Sequence, residues 1–126
     1  MNQKNKKILI VEDSLDLQRL LARLLQIEGY DINTANNGLS AFQQLERSPS
    51  LPNLILLDIM MPVMDGYAFR NRQKKTRLFS KIPTLILSAD ENVSLNRLKI
   101  SPKNFIKKPI EIDQLLWTIQ TTIDPM

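Results

Sequence analysis

The chain has 126 residues, 43% of them apolar, and a formal net charge of +4. That is enough apolar material for one domain with a sizeable core, and too much for a disordered chain. Cysteine and histidine are both absent, which excludes disulfides, thiolate chemistry and imidazole catalysis and leaves oxygen as the donor for any bound metal.

Taken in chain order, residues Met1–Lys7 are polar and basic with no apolar signal region behind them, so a cytoplasmic rather than secreted protein is expected. Ile8–Val11 is a short apolar run with β-branched residues, the pattern of a buried strand. Leu17, Leu20, Leu21 and Leu24 follow at helical spacing, with Ser14 placed to cap the helix and Gly29 to stop it. Tyr30–Ala35 reads as a weaker strand with Ile32 as its clearest core residue, and Leu39–Arg47 as a helix with Phe42 and Leu45 inward. Ser48–Asn53 carries two prolines and is a connection.

Leu54–Asp58 is a second strongly apolar strand, and a loop ending at Asp65–Gly66 leads into a helix over Tyr67–Lys75. Between Gly66 and Ala89 lie six cations (Arg70, Arg72, Lys74, Lys75, Arg77 and Lys81) and no acid. A solvated helix face and loop is the ordinary reading, and a docking patch for an acidic partner, nucleic acid or an anionic surface the sharper one. Thr84–Ser88 is another buried strand. Asp90–Lys99 is a poor helix, with Asn92, Ser94 and Asn96 inside it. Phe105–Lys107 is a short strand, and Glu111–Ile123 a helix with Ile112, Leu115, Leu116, Ile119 and Ile123 on one side. Trp117 falls well off that stripe, as a partly exposed aromatic or an interface contact. No run is long enough to span a bilayer.

These are five βα units in series, which argues for a parallel sheet with helices on both faces. In such sheets a site lies beyond the carboxyl ends of the strands, where strand order reverses. Three strands there end in loaded residues: Val11-Glu12-Asp13-Ser14, Leu57-Asp58 and Leu87-Ser88-Ala89-Asp90, while Lys107-Lys108-Pro109 ends the last. Asp90 taken alone suits a cap on the next helix. Together these residues bring carboxylates, a hydroxyl and one ammonium into one crevice. Two carboxylates about 4 Å apart repel by roughly 4 kcal/mol at an effective dielectric near 20. A single lysine leaves residual negative charge, so protons or a divalent cation complete such a site. All-oxygen donors with room for waters and phosphate oxygens suit Mg²⁺, with Mn²⁺ the alternative. A carboxylate beside such an ion can attack a phosphoryl group and form an acyl phosphate.

The segment Leu57-Asp58-Ile59-Met60-Met61-Pro62-Val63-Met64-Asp65-Gly66, with Ile8-Leu9-Ile10-Val11-Glu12-Asp13, Leu87-Ser88-Ala89 and Lys108-Pro109, resembles the receiver domain of bacterial two-component response regulators over nearly the whole chain. The resemblance implies a flavodoxin-like, doubly wound, five-stranded parallel sheet in the order 2-1-3-4-5 with five helices. It implies one receiver domain over 1–126, with its core at about 6–123. It implies Asp58 as the acceptor of phosphate from a phosphohistidine, with Lys108 pairing first with Asp58 and then with a phosphoryl oxygen. Asp13, Asp58 and the Met60 carbonyl would ligate Mg²⁺, and Glu12 would hold it mainly through water. Ser88 would move to bond the phosphate and Phe105 would change rotamer with it. A cis peptide at Lys108–Pro109 is implied, and Gly66 would permit the backbone of the turn into the third helix. Only self-phosphorylation and slow self-dephosphorylation would be catalysed.

Ser88 stands where the family more often has Thr, and Phe105 where it more often has Tyr. The stretch from Ser88 to Lys108 is shorter than usual, with Ser101-Pro102-Lys103-Asn104 in place of a small Gly-Ala turn. The apolar Met60, two residues after Asp58, is expected to hinder the water that hydrolyses the phosphoaspartate. The implied partners are a sensor histidine kinase or histidine phosphotransfer protein and a downstream target protein. The output would be a changed protein surface or a phosphorylation-dependent dimer, with no direct nucleic-acid contact and no output domain. One rival is a receiver-like binding module that signals without phosphate. The others are a flavin protein of similar architecture, which Glu12-Asp13 disfavours electrostatically, and a metal-dependent phosphatase.

Overall fold

A computed structural model describes residues 6–125, so most of the polar and basic stretch Met1–Lys7 lies outside the described residues. Its elements alternate strictly. They are β1 (Lys7–Val11), α1 (Leu15–Ile27), β2 (Asp31–Ala35), α2 (Gly38–Arg47), β3 (Leu54–Asp58), α3 (Gly66–Lys75), β4 (Thr84–Ser88), α4 (Leu95–Leu98), a 3₁₀ turn (Pro102–Asn104), β5 (Phe105–Lys107) and α5 (Ile112–Ile123). All neighbouring strands pair in parallel, in the order β2-β1-β3-β4-β5. The sheet is the doubly wound, flavodoxin-like one expected, and its order reverses between β1 and β3.

Side chains alternate along each strand, and both faces are covered. Ile8, Ile10, Leu54, Leu56, Leu85 and Leu87 pack with Leu21 and Leu25 of α1 and Leu115 and Ile119 of α5. Leu9, Val11, Ile55, Leu57 and Ile86 pack on the other face with Phe42 of α2, Phe69 of α3 and Leu98 of α4. Two buried faces explain why the central strands are apolar without alternation. Every residue of β3 and of β4 is buried.

Ser14 caps α1, accepting from the Leu17 amide, and Gly29 takes the left-handed φ of 100° that ends the helix. Asn37, Asp65, Ser94 and Glu111 cap α2, α3, α4 and α5 in the same way. Several details differ from expectation. The inward stripe of α1 is Gln18, Leu21 and Leu25, while Leu20 is 53% exposed. Ala35 and Tyr30 are buried in and beside β2, whereas Ile32 is half-buried, because β2 is an edge strand. The poor helix over 90–99 shrinks to a single turn, and its cap is Ser94 rather than Asp90, which folds back on its own turn to accept from the Asn92 amide. Trp117 lies off the stripe and is 67% exposed, as its position predicted.

The cation run is the larger correction. Arg70 is buried, so it belongs to no solvated face. Its Nε donates to the Leu98 carbonyl and its Nη2 to the Lys99 carbonyl, at 2.8 and 2.9 Å. Its Nη1 donates to the side chains of Gln73 and Thr84. Burial lowers its pKa from the ordinary arginine value. Arg72 lies with its guanidinium carbon 4.1 Å over the Phe42 ring.

Candidate functional site

The site is assembled by strand termini. Parallel pairing puts the ends of β1, β3, β4 and β5 along one sheet edge. A carboxylate oxygen from each of Glu12, Asp13 and Asp58 lies within 4.8 Å of the others. Glu12 and Asp58 are buried, and Asp13 is exposed at the mouth. Lys108 reaches across from the end of β5, its Nζ 3.0 Å from Glu12 Oε1 and 3.4 Å from Asp58 Oδ1. The peptide bond that follows, Lys108–Pro109, is cis as implied.

The remaining hydrogen bonds fix these groups. Glu12 Oε2 accepts from the Ser14 amide at 3.0 Å, and Asp58 Oδ1 accepts from the Ile59 amide at 2.9 Å. Both N–H donors to Asp58 meet the same oxygen, so no N–H of the described residues donates to Oδ2. Burial pushes the Asp58 carboxyl above the ordinary aspartate value, against the downward pull of Lys108 and the Ile59 amide. Burial likewise raises Glu12, helped by the negative charge of Asp58 and opposed by the Ser14 amide and Lys108. Burial disfavours the Lys108 ammonium, but its bond to Glu12 and the charges of both carboxylates outweigh that and raise its pKa.

Three carboxylates facing one ammonium leave the cluster net negative, with two of the three desolvated. That is the electrostatic condition under which a hard divalent cation is favoured. The donor set is all oxygen and opens to solvent at Asp13, so the residues present fit Mg²⁺.

The other expected site residues stand further out. Ser88 ends β4 and is buried, but its Oγ accepts from the Asp90 amide at 3.0 Å and holds the β4–α4 turn. Phe105 begins β5, half-buried against the core on the α2–α4 face. The Met60 side chain is 67% exposed on the loop after β3. Gly66 needs no special backbone angle. Its requirement is space, because a Cβ there would sit 2.7 Å from Ile59 Cα and 2.8 Å from the Asp58 carbonyl oxygen. Sequence reasoning missed Gln18, a buried amide that donates to the carbonyls of Glu12 and Ala35 and to Asn36 Oδ1, tying down the β1–α1 turn. Its spacing to Leu21 and Leu25, at i+3 and i+7, is the signal that places it inward.

Residues 8–120 match the family model of the response regulator receiver domain. The chain belongs to the response-regulator receiver family. It is 35% identical over 120 residues to the transcriptional regulatory protein CpxR homolog of Haemophilus influenzae, covering 93% of this chain and 50% of that protein. It spans about half the length of the curated relatives it matches. Among solved structures, the receiver domain of a signal transduction histidine kinase from Syntrophus aciditrophicus superposes with a TM-score of 0.78 at 30% identity, covering 94% of this chain and 89% of that one. The receiver domain of a sensor histidine kinase from Pseudomonas aeruginosa, with a magnesium ion coordinated in its active-site cleft, superposes at 0.82 and 25% identity, covering 94% and 97%. This receiver domain is therefore a signalling module of two-component systems, with the family's acidic pocket in place.

Proposed function

We propose that Asp58 accepts a phosphoryl group from the phosphohistidine of a sensor kinase or histidine phosphotransfer protein. The observation that carries this is the setting of Asp58: a buried carboxylate at the strand-order reversal, with both of its N–H donors on one oxygen. Oδ2 is then the nucleophile. Its bond to phosphorus forms as the phosphorus–nitrogen bond to the donor imidazole breaks. Lys108 already bridges Asp58 and Glu12, so its ammonium is in place to pair with a phosphoryl oxygen once the charge moves there. Glu12, Asp13, Asp58 and the Met60 carbonyl would hold Mg²⁺, which supplies neutralisation of phosphoryl charge when bound.

Ser88 is held in the β4–α4 turn by the Asp90 amide. Its hydroxyl hydrogen is left to donate to a phosphoryl oxygen, and a shift of Ser88 toward the phosphate would strain or release its tie to the turn leading to α4. This supports a population shift on the α4 side as the output, read by a downstream protein or a second copy of the chain. No helix of the described residues is long and apolar enough to cross a membrane, in keeping with a cytoplasmic site of action. Met60, two residues after the acceptor and with its apolar side chain exposed, would slow hydrolysis of the phosphoaspartate by hindering the attacking water.

The decisive experiment offers acetyl phosphate and Mg²⁺ to the wild type and to Asp58→Asn, read by intact mass. One phosphoryl group on the wild type and none on the variant is expected. Labelling that survives the substitution overturns Asp58 as acceptor. An unlabelled wild type with unchanged amide shifts favours a module that signals without phosphate.

A further inference from the structure

The cations between Gly66 and Ala89 take no part in the phosphoacceptor site. Folding sorts them. Lys74 at the end of α3 and Lys81 in the loop before β4 line one cleft, with the buried Arg70 in its wall, and Lys99 joins them from outside the run, at the C-cap of α4. Pro83 and Thr84 at the start of β4 also line it. It therefore opens at the amino edge of the sheet, a strand's length (roughly 15 Å) from Asp58.

No acidic side chain lines this cleft, and none of its four cations is ion-paired among the described residues. Lys74 spends one donor on the Ser80 carbonyl at 3.2 Å. Arg70 has five N–H donors, and four are engaged: by the Leu98 and Lys99 carbonyls, Gln73 and Thr84. All four of those partners are neutral, so its buried charge has no counterion among the described residues. A buried cation without an anion is costly. The two α4 carbonyls that would repel an anion already face the guanidinium.

We propose that this cleft binds a small phosphate-class anion. Its volume is about 310 Å³, at the small end of ligand sites, which suits a phosphoryl group with its waters. The cations converge on one concavity instead of forming a stripe, which favours a compact multivalent anion over a polymer. Lys99 closes α4 and Arg70 holds its last carbonyls, so an anion here tightens the same fastening. The phosphate can be free or carried on a lipid headgroup.

The test titrates pyrophosphate into the wild-type protein in chelator, so the acidic crevice takes no part, with sodium chloride at matched ionic strength as control. Saturable amide shifts at Lys74, Lys81 and Lys99 are expected, and the double variant Lys81→Glu, Lys99→Gln should bind at least roughly tenfold more weakly. Both positions are exposed, and phosphorylation of that variant by acetyl phosphate should be unchanged. Pelleting with phosphatidylcholine vesicles carrying phosphatidic acid, lost in the double variant, assigns the phosphate to a headgroup. Saturable shifts without pelleting assign it to a free anion. Shifts no larger than with chloride, equal shifts in the double variant, or shifts with a polyglutamate peptide alone each overturn the proposal.

Discussion

The helices α1 and α4 follow strands that both end in site residues, yet they are held in opposite ways. Helix α1 has 13 residues, a serine cap and an inward stripe of Gln18, Leu21 and Leu25, so it carries its own reasons to be helical. Helix α4 has four residues and buries only Leu98. A single turn is far below the length at which a helix sustains itself. What keeps α4 in place is α3. The Tyr67 hydroxyl accepts from the Ser94 amide at 2.9 Å, Arg97 lies 4.0 Å over the Tyr67 ring, and Arg70 donates to the last two carbonyls of the turn. Glu12 and Asp13 thus lead into a helix with an inward stripe of its own, whereas the segment beside Ser88 rests on a neighbour's side chains. A switch needs the second kind of region, because only an element near the low end of local stability can be repopulated by one new hydrogen bond.

Removing the fastening should break that contrast. Arg70→Met keeps the length and apolar stem but leaves the Leu98 and Lys99 carbonyls without their donor. A loss of roughly 2–4 kcal/mol is expected in urea unfolding, with faster amide exchange across residues 94–100 than across α1. A loss well under 1 kcal/mol, or exchange raised equally in both helices, would show that α4 is not held from α3. A smaller and differently placed effect is expected at the other region. Gly66→Ala puts a methyl group against Ile59 and the Asp58 carbonyl, so about 1–3 kcal/mol of strain falls on the β3–α3 turn. Amide shifts should centre on Ile59 and Gly66 and spare α4, and Mg²⁺-dependent phosphorylation should slow. Normal phosphorylation kinetics would mean that the turn tolerates the displacement.

The same division explains what could be read before the structure. Strand and helix order, the parallel sheet and the meeting of Glu12, Asp13, Asp58 and Lys108 all follow from local periodicity and the rule that sites lie at carboxyl edges. Those signals reside in contiguous residues. From the sequence Arg70 belongs on a solvent-facing surface, because a cation in a basic run usually does. Its burial depends on carbonyls 28 and 29 residues away, which no local pattern encodes. Gly66 drew a conformational reading where the constraint is a tertiary approach to β3. The helix expected over 90–99 is shorter in the fold, Leu95–Leu98, for a related reason. Its polar residues satisfy turns at Asp90 and Ser94 instead of a helical ladder.

The smallest predicted effect concerns the acidic crevice itself, without metal. Asp58 and Glu12 both have folded pKa values above their ordinary ones. A raised carboxyl binds more protons folded than unfolded, so its favourable contribution is complete below the unfolded pKa and is lost as pH rises through the folded one. At neutral pH, ionised Asp58 therefore destabilises the metal-free fold. Asp58→Asn keeps an oxygen for the Ile59 amide and Lys108 while removing the buried charge. In chelator at neutral pH it should gain on the order of 1 kcal/mol, a rise of a few degrees in Tm. The gain should vanish below the ordinary carboxylate range, where the wild-type side chain is itself neutral. Excess Mg²⁺ should reverse the order, since only the aspartate offers the ion a charged ligand and binding to the folded state adds stability. Thermal melts of both proteins at neutral and acidic pH, with chelator and with Mg²⁺, make the comparison. If the variant melts no higher than the wild type in chelator at neutral pH, Lys108 alone neutralises the crevice, and the case for a cation at three carboxylates loses its electrostatic footing.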